Sequence, residues 1–191
     1  MTTVLLFHHA QGQATGFVAF ADELREAGHA VVTPDLYDGN TFGDLEEGVA
    51  YAEQIGLRQI TRTGSATAED LPADIVYAGF SLGVLPAQSL AQTRPGARGA
   101  VFFHSCVPTS ELESSWPEGV PLQIHMMDSD PLAEGEDRPV AEALVEETDD
   151  AELFLYPGSA HLFADASLDD YDEQAATLLK RRTLAFLQRV R

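Results

Sequence analysis

Three side chains that could together activate a hydroxyl group lie in separate parts of the chain. Ser81 is the middle residue of Gly79-Phe80-Ser81-Leu82-Gly83, a G-x-S-x-G pattern that follows an apolar segment and precedes a helical one. In that context the serine occupies a sharp turn, and the flanking glycines avoid collisions with the neighbouring strand and helix. The N-terminus of the helix directs free N–H groups towards a developing oxyanion. The pattern therefore predicts a nucleophilic serine.

A serine hydroxyl needs a base, and the base needs a group that orients it. With a serine turn of this kind, the acid and then the histidine follow in the chain, each after a later strand. His161 fits the base, because it lies in a glycine-containing loop after the last predicted strand, whereas the other five histidines precede the serine or lie within a predicted strand. For the acid we favour Asp130, which the turn Pro131-Leu132 orients, over Asp128, and Asp137 is a third alternative.

The oxyanion hole and a pocket can also be assigned to residues. We expect the backbone N–H groups of Ala10, in the loop after the first strand, and of Leu82 to converge on the carbonyl oxygen of the substrate. Five side chains could wall the pocket, with ordinary packing as the alternative for each: His9, Gln11, Tyr37, Phe80 and Trp116.

Two other chemistries are less favoured by the residues. His8 and His9 are adjacent where the first predicted strand ends, and adjacent residues on a strand point to opposite faces, so both cannot easily bind one ion. No group of Cys, His and carboxylate residues has recognisable zinc spacing either, so we expect no metal. Cys106, the single cysteine, follows the fourth predicted strand rather than the serine turn. A buried structural thiol is therefore favoured over a second nucleophile.

The elements that must position these residues alternate regularly along the chain. Six segments of strand length, most of them uniformly apolar, predict strands that are covered on both faces, as in a parallel sheet. Helical patterns between them predict a doubly wound α/β fold with right-handed crossovers. The predicted strands are 3–8, 30–33, 74–78, 99–104, 122–126 and 152–156, the helices cover 17–24 (ended by Gly28), 44–60, 84–91, 139–147 and about 168–190, and 61–72 and 108–119 are surface connections.

Length and charge limit the function classes. The 191 residues correspond to one domain, 1–191. Asp and Glu total 31 against 11 Lys and Arg, giving a net charge of −20, which argues against nucleic acid and anionic membranes as partners. No apolar run approaches ~18 residues. The N-terminus lacks a signal-peptide pattern and one cysteine cannot form an internal disulfide, so we expect a cytoplasmic protein.

The chain resembles the dienelactone hydrolase family of α/β-hydrolases in four segments, LLFHHAQG at 5–12, TPDLYDG at 33–39, GFSLG at 79–83 and YPGSAH at 156–161. The segment IHMMDSDPL is similar to the strand and acid turn of the family, and this register falls on Asp130. The resemblance implies a three-layer α/β-hydrolase fold with helices on both faces. It also implies a reduced, six-stranded parallel sheet of order 2-1-3-4-5-6, since the chain begins at what looks like the third strand of the family.

Two residues differ from the pattern of the family. The name-giving members use a cysteine nucleophile where this chain has Ser81, and they commonly carry a glutamate where it has His9. The resemblance implies a hydrolase without a cofactor that forms an acyl-enzyme, and we expect a small ester or lactone as its substrate. The alternatives are thioester hydrolysis, acyl transfer to another acceptor, and a non-catalytic ligand-binding protein on the same fold.

Overall fold

Six parallel strands form the middle layer of the computed structural model, which describes residues 1–112 and 114–191. The strands are β1 (Thr3–Phe7), β2 (Ala30–Val32), β3 (Val76–Phe80), β4 (Gly99–Phe103), β5 (Leu122–Met127) and β6 (Ala151–Tyr156). Their order is β2-β1-β3-β4-β5-β6 and every pair is parallel, which confirms the predicted sheet. The carboxyl ends of all six strands therefore meet at one edge of the sheet, where sites of open α/β sheets are found.

Helices cover the two faces of this sheet and give the protein two apolar cores. The helices are α1 (Thr15–Glu26), α2 (Leu45–Ile55), α3 (Leu57–Ala66), α4 (Val84–Thr93), α5 (Asp137–Glu147) and α6 (Glu173–Arg189). Apolar residues of α1 and α6 pack on one face of the sheet. Those of α2, α3, α4 and α5 pack on the other. Every residue of β3, β4 and β5 is buried, as the uniformly apolar segments predicted.

The helix predicted over 44–60 is in fact two helices. Gly56 separates them with a φ of +92°, a conformation that ends α2 and that residues with a side chain rarely adopt. Its N–H group donates to the carbonyl of Ala52, 2.8 Å away. Because α3 then continues to Ala66, half of the predicted surface connection 61–72 is helical.

The last helix begins later than the sequence predicts. Asp172 caps α6, since its carboxylate accepts the N–H group of Ala175 at 2.9 Å, and the helix therefore starts at Glu173 rather than at Leu168. The segment 157–172 is left as a loop over the carboxyl end of the sheet. Within the described part of the chain, no helix combines the length and the apolarity that crossing a membrane needs.

Candidate active site

The turn between β3 and α4 places a serine at the edge of the sheet. Ser81 begins a short 3-10 turn with a φ of +47°, a strained backbone conformation of the kind that collects at functional sites. A Cβ atom on Gly79 would lie 2.1 Å from the carbonyl oxygen of Gly83, and one on Gly83 would lie 2.5 Å from that of Phe7. Both collisions would be with backbone, so the predicted need for glycine on each side of the serine is confirmed.

The structure brings Ser81, His161 and Asp130 together. Nε2 of His161 lies 2.8 Å from Oγ of Ser81, and Nδ1 of the same ring lies 2.6 Å from Oδ2 of Asp130. Because a carboxylate only accepts, Nδ1–H donates to Asp130 and Nε2 is free to accept the serine proton. Asp130 is 1% exposed, and the N–H group of Leu132 holds its other oxygen at 2.9 Å. This is the turn that the sequence predicted would orient the acid.

The two alternative acids point elsewhere. Asp128 is exposed, and its carboxylate accepts the hydroxyl of Ser129 at 3.0 Å and the N–H group of Gly158 at 3.1 Å. Asp137, at the start of α5, lies beside Ser105, and burial raises the pKa of its carboxyl. Neither carboxylate bonds the imidazole of His161.

The loop after β1 lies against the serine turn. The carbonyl oxygens of Phe7 and His8 both lie within 2.7 Å of the position that a Cβ on Gly83 would take, so the two backbones are in direct contact. Helix α2 supports the loop from behind, since a Cβ on Gly48 would lie 2.3 Å from the carbonyl oxygen of Ala10. Ala10 and Leu82 thus lie on the two backbone segments that meet beside Ser81.

The five residues predicted as pocket walls have different environments. His9, Tyr37 and Phe80 are almost completely buried and pack within the fold, which was the alternative for each. Trp116 is placed away from the site. Its ring packs against Phe102 and its Nε1–H donates to the carbonyl of Val120 at 2.8 Å, in a separate cavity before the start of β5. The position of Trp116 in the sequence does not indicate which cavity its side chain lines.

Gln11 lines a cleft of about 290 Å³ next to the site. Gln11 and Leu162, the chain neighbours of Ala10 and His161, form part of its wall. Its lining includes three carboxylates, those of Asp44, Asp169 and Asp170, and among the described residues no Lys or Arg.

Two further histidines near the site, His8 and His104, are buried. His8 donates Nδ1–H to the carbonyl of His9 at 2.7 Å and accepts the N–H group of Leu36 at 3.0 Å, and burial lowers the pKa of His8 to about 4. His104 has a φ of +71°, and neither ring nitrogen has a partner among the described residues. Burial holds the pKa of His104 well below its usual value. Both rings are therefore neutral near neutral pH.

Cys106, the alternative nucleophile, is buried in the fold. Cys106 is 1% exposed, and burial raises the pKa of its thiol, so little thiolate is present. Within residues 1–112 and 114–191, no three His, Cys, Asp or Glu side chains are grouped so as to hold a metal ion.

Comparisons with known proteins give a family and a fold. A model of the dienelactone hydrolase family matches residues 1–191. The chain is similar to a dienelactone hydrolase-like promiscuous phosphotriesterase from metagenomic libraries, with a TM-score of 0.75 and 18% identity over 100% of this chain and 87% of that one. It is also similar to a cold-adapted esterase from an Arctic intertidal metagenomic library, with a TM-score of 0.57 and 14% identity over 94% of this chain and 82% of that one. No curated protein matches the sequence.

Proposed function

Because the chain belongs to the dienelactone hydrolase family, we propose that it is a serine hydrolase that cleaves a small carboxylic ester or lactone through an acyl-enzyme. The observation that carries the proposal is the 2.8 Å separation of the Ser81 Oγ from Nε2 of His161. At this distance the imidazole can take the proton of the hydroxyl while the oxygen attacks a carbonyl carbon.

The first half of the reaction forms the acyl-enzyme. Oγ of Ser81 bonds to the carbonyl carbon, and its proton passes to Nε2 of His161. Asp130 stabilises the imidazolium that results, and the N–H groups of Ala10 and Leu82 stabilise the oxyanion. The tetrahedral intermediate then expels the alcohol, which takes the proton from Nε2.

The second half releases the acid. A water molecule gives a proton to Nε2 of His161 and attacks the acyl carbon, and the Ser81 oxygen leaves with that proton. With a lactone the alcohol stays attached to the acyl group, so a single hydroxy acid leaves. We infer small substrates because the cleft beside the site is only about 290 Å³ and open to solvent.

A fluorophosphonate probe and a short-chain nitrophenyl ester test the proposal. The probe should label Ser81, and Ser81→Ala should lose labelling and lower kcat by about 10⁴-fold or more. Ser129→Ala is the matched control, because the Ser129 hydroxyl donates to the exposed Asp128, and this variant should react like the wild type.

Two results would count against this function. No labelling and no turnover over a series of esters and lactones would favour a non-catalytic binding protein. Labelling with turnover of thioesters alone would favour a thioesterase.

A further inference from the structure

His9 and Asp165 form a buried pair beside the proposed site. Nε2 of His9 lies 2.8 Å from Oδ2 of Asp165, and both side chains are 0% exposed. Nδ1 of His9 accepts the N–H group of Gln11 at 3.2 Å, so the proton of the neutral ring lies on Nε2 and is donated to Asp165. The ring is therefore fixed from both nitrogens.

Both carboxylate oxygens of Asp165 accept hydrogen bonds. Its Oδ1 accepts both the N–H group and the hydroxyl of Ser167, at 2.8 and 2.6 Å, and Oγ of Ser167 accepts the N–H group of Gly16 in the first turn of α1. Burial by itself would raise the pKa of Asp165, but the hydrogen bonds from His9 and Ser167 lower it below the usual value. The carboxylate is thus held ionised at the N-terminal end of α1, where the helix dipole favours a negative charge.

We propose that the His9–Asp165 pair is a positioning device that holds the loop of the oxyanion hole in register with the loop of the base. His9 directly precedes Ala10, and its ring also binds the N–H group of Gln11, so this side chain fixes the backbone on both sides of Ala10. Asp165 lies on the loop of His161, four residues further on. One hydrogen bond therefore connects the two loops.

A hydrogen-bonded turn also connects Asp165 to the residue after His161. The N–H group of Asp165 donates to the carbonyl of Leu162, the residue after His161, at 3.0 Å. On the other side, the N–H group of Gly12 donates to the carbonyl of His9 at 3.0 Å. Both ends of the pair thus sit in closed turns, so loss of the central bond should let the Ala10 amide move relative to His161. A displacement of about 1 Å can cost about 100-fold in rate.

This inference rests on the proposed function, and paired variants of His9 test it. His9→Gln can still place an N–H donor near Asp165 but cannot accept from Gln11, whereas His9→Asn can accept from Gln11 but does not reach Asp165. Asp165→Asn is nearly isosteric, yet its amide must place an NH₂ group against either Ser167 or His9, which are donors. We expect each variant to lower kcat for p-nitrophenyl acetate by about 10- to 100-fold with KM within about twofold.

A boronic acid separates positioning from a purely structural role. The tetrahedral adduct of butylboronic acid with Ser81 places an oxygen in the oxyanion hole, so its Ki should rise by the same factor by which kcat falls. His29→Gln is the control, because His29 is also a buried histidine but lies between α1 and β2, and it should leave kcat and Ki unchanged.

The outcomes are distinguishable. If the wild type turns over no ester, the proposed function and this inference both fail. If the wild type is active and the folded variants keep kcat within about twofold, or lose kcat without a matching rise in Ki, the positioning role is wrong while the hydrolase remains. If a single variant at His9 or Asp165 loses stability, the double variant H9L/D165L should recover the Tm but not kcat, because an apolar pair can replace a buried polar pair without restoring its directed hydrogen bonds.

Discussion

The carboxylate of Asp130 lies 2.6 Å from Nδ1 of His161, although 31 residues separate them in the chain. Strand β5 ends at Met127 and β6 at Tyr156, and these two residues are partners in adjacent parallel strands. The turn that holds Asp130 and the loop that holds His161 therefore leave the sheet side by side. Because adjacent parallel strands end at the same edge of the sheet, the loops that follow them are neighbours. The order of Asp130 and His161 after β5 and β6 therefore predicted that they lie close together.

Asp130→Asn should lower kcat by about 10³- to 10⁴-fold with little change in KM. An amide NH₂ group facing Nδ1 would force the proton onto Nε2, and the ring could then no longer accept the proton of Ser81. Steady-state kinetics with a nitrophenyl ester measures the effect. Asp128→Asn is the matched control two residues away, and an equal loss of activity there would contradict the assignment of the acid.

Gly83→Ala should destabilise the protein by about 3 kcal/mol, because its methyl group would meet the backbone of β1 and the loop that follows it. Backbone atoms cannot rotate away as a side chain can, so the serine turn and the loop after β1 must move apart. Urea unfolding measures the loss. Gly135→Ala is the control, since a Cβ there meets nothing within 4 Å. Equal stability of the two variants would be inconsistent with this close approach.

The sequence predicted the sheet and the approach of Ser81, Asp130 and His161, because the signals for the strands and for the serine turn are local. Uniformly apolar segments mark buried strands, and the glycines around Ser81 mark a turn that nothing larger fits. The strand order came from the family resemblance, and the structure confirms it. Which residue follows which strand indicated Ser81 and His161 as candidates, whereas Asp128 and Asp130 follow the same strand, and the turn Pro131-Leu132 and the family resemblance favoured Asp130.

Other features could not be predicted, because they depend on contacts between loops. His9 bonds Asp165. The segment around Asp165, Ala-Asp-Ala-Ser-Leu at 164–168, has neither the helical nor the strand period, so the sequence did not indicate where this carboxylate lies. The apolar stripe of α2 continues across Gly56, so only the glycine itself indicated a break. Trp116 lies in a connection whose direction the sequence does not define, and its indole N–H group donates to the carbonyl of Val120, shortly before β5 begins.

His125 should make the stability of the protein depend on pH. Burial, and then the charge of Arg182, lower the pKa of His125 from 6.5 to about 3. The unfolded chain therefore binds a proton between these values and the folded chain does not. The stabilisation is complete above pH 6.5 and is lost as the pH falls, by about 2 kcal/mol between about pH 7 and pH 5.

The variant His125→Phe isolates this contribution. The ring stacks on Phe103 and lies tilted against Phe154, so phenylalanine keeps this packing. It loses the hydrogen bond between Nδ1 of His125 and the hydroxyl of Tyr156, and the cost of that loss is the same at both pH values. Protonation of surface carboxylates also relieves the repulsion due to the net charge of −20, so the wild type alone does not report on His125. We expect the free energy of unfolding of the variant, relative to that of the wild type, to rise by about 2 kcal/mol between pH 7 and pH 5. An unchanged difference would show that His125 is protonated in the folded state.

The carboxylates of Asp44, Asp169 and Asp170 in the cleft should make the enzyme discriminate against anionic esters. At low salt we expect kcat/KM for mono-p-nitrophenyl succinate to be about tenfold below that for p-nitrophenyl butyrate, and about 1 M salt should narrow the gap by screening. Asp169→Lys tests the local origin of the effect without removing Asp44, which caps α2. Asp149→Lys, in the separate cavity beside Trp116, changes the net charge equally and should leave the gap unchanged. If both lysine variants narrow the difference in kcat/KM between the two esters equally, the discrimination comes from the total charge of the protein and not from the cleft.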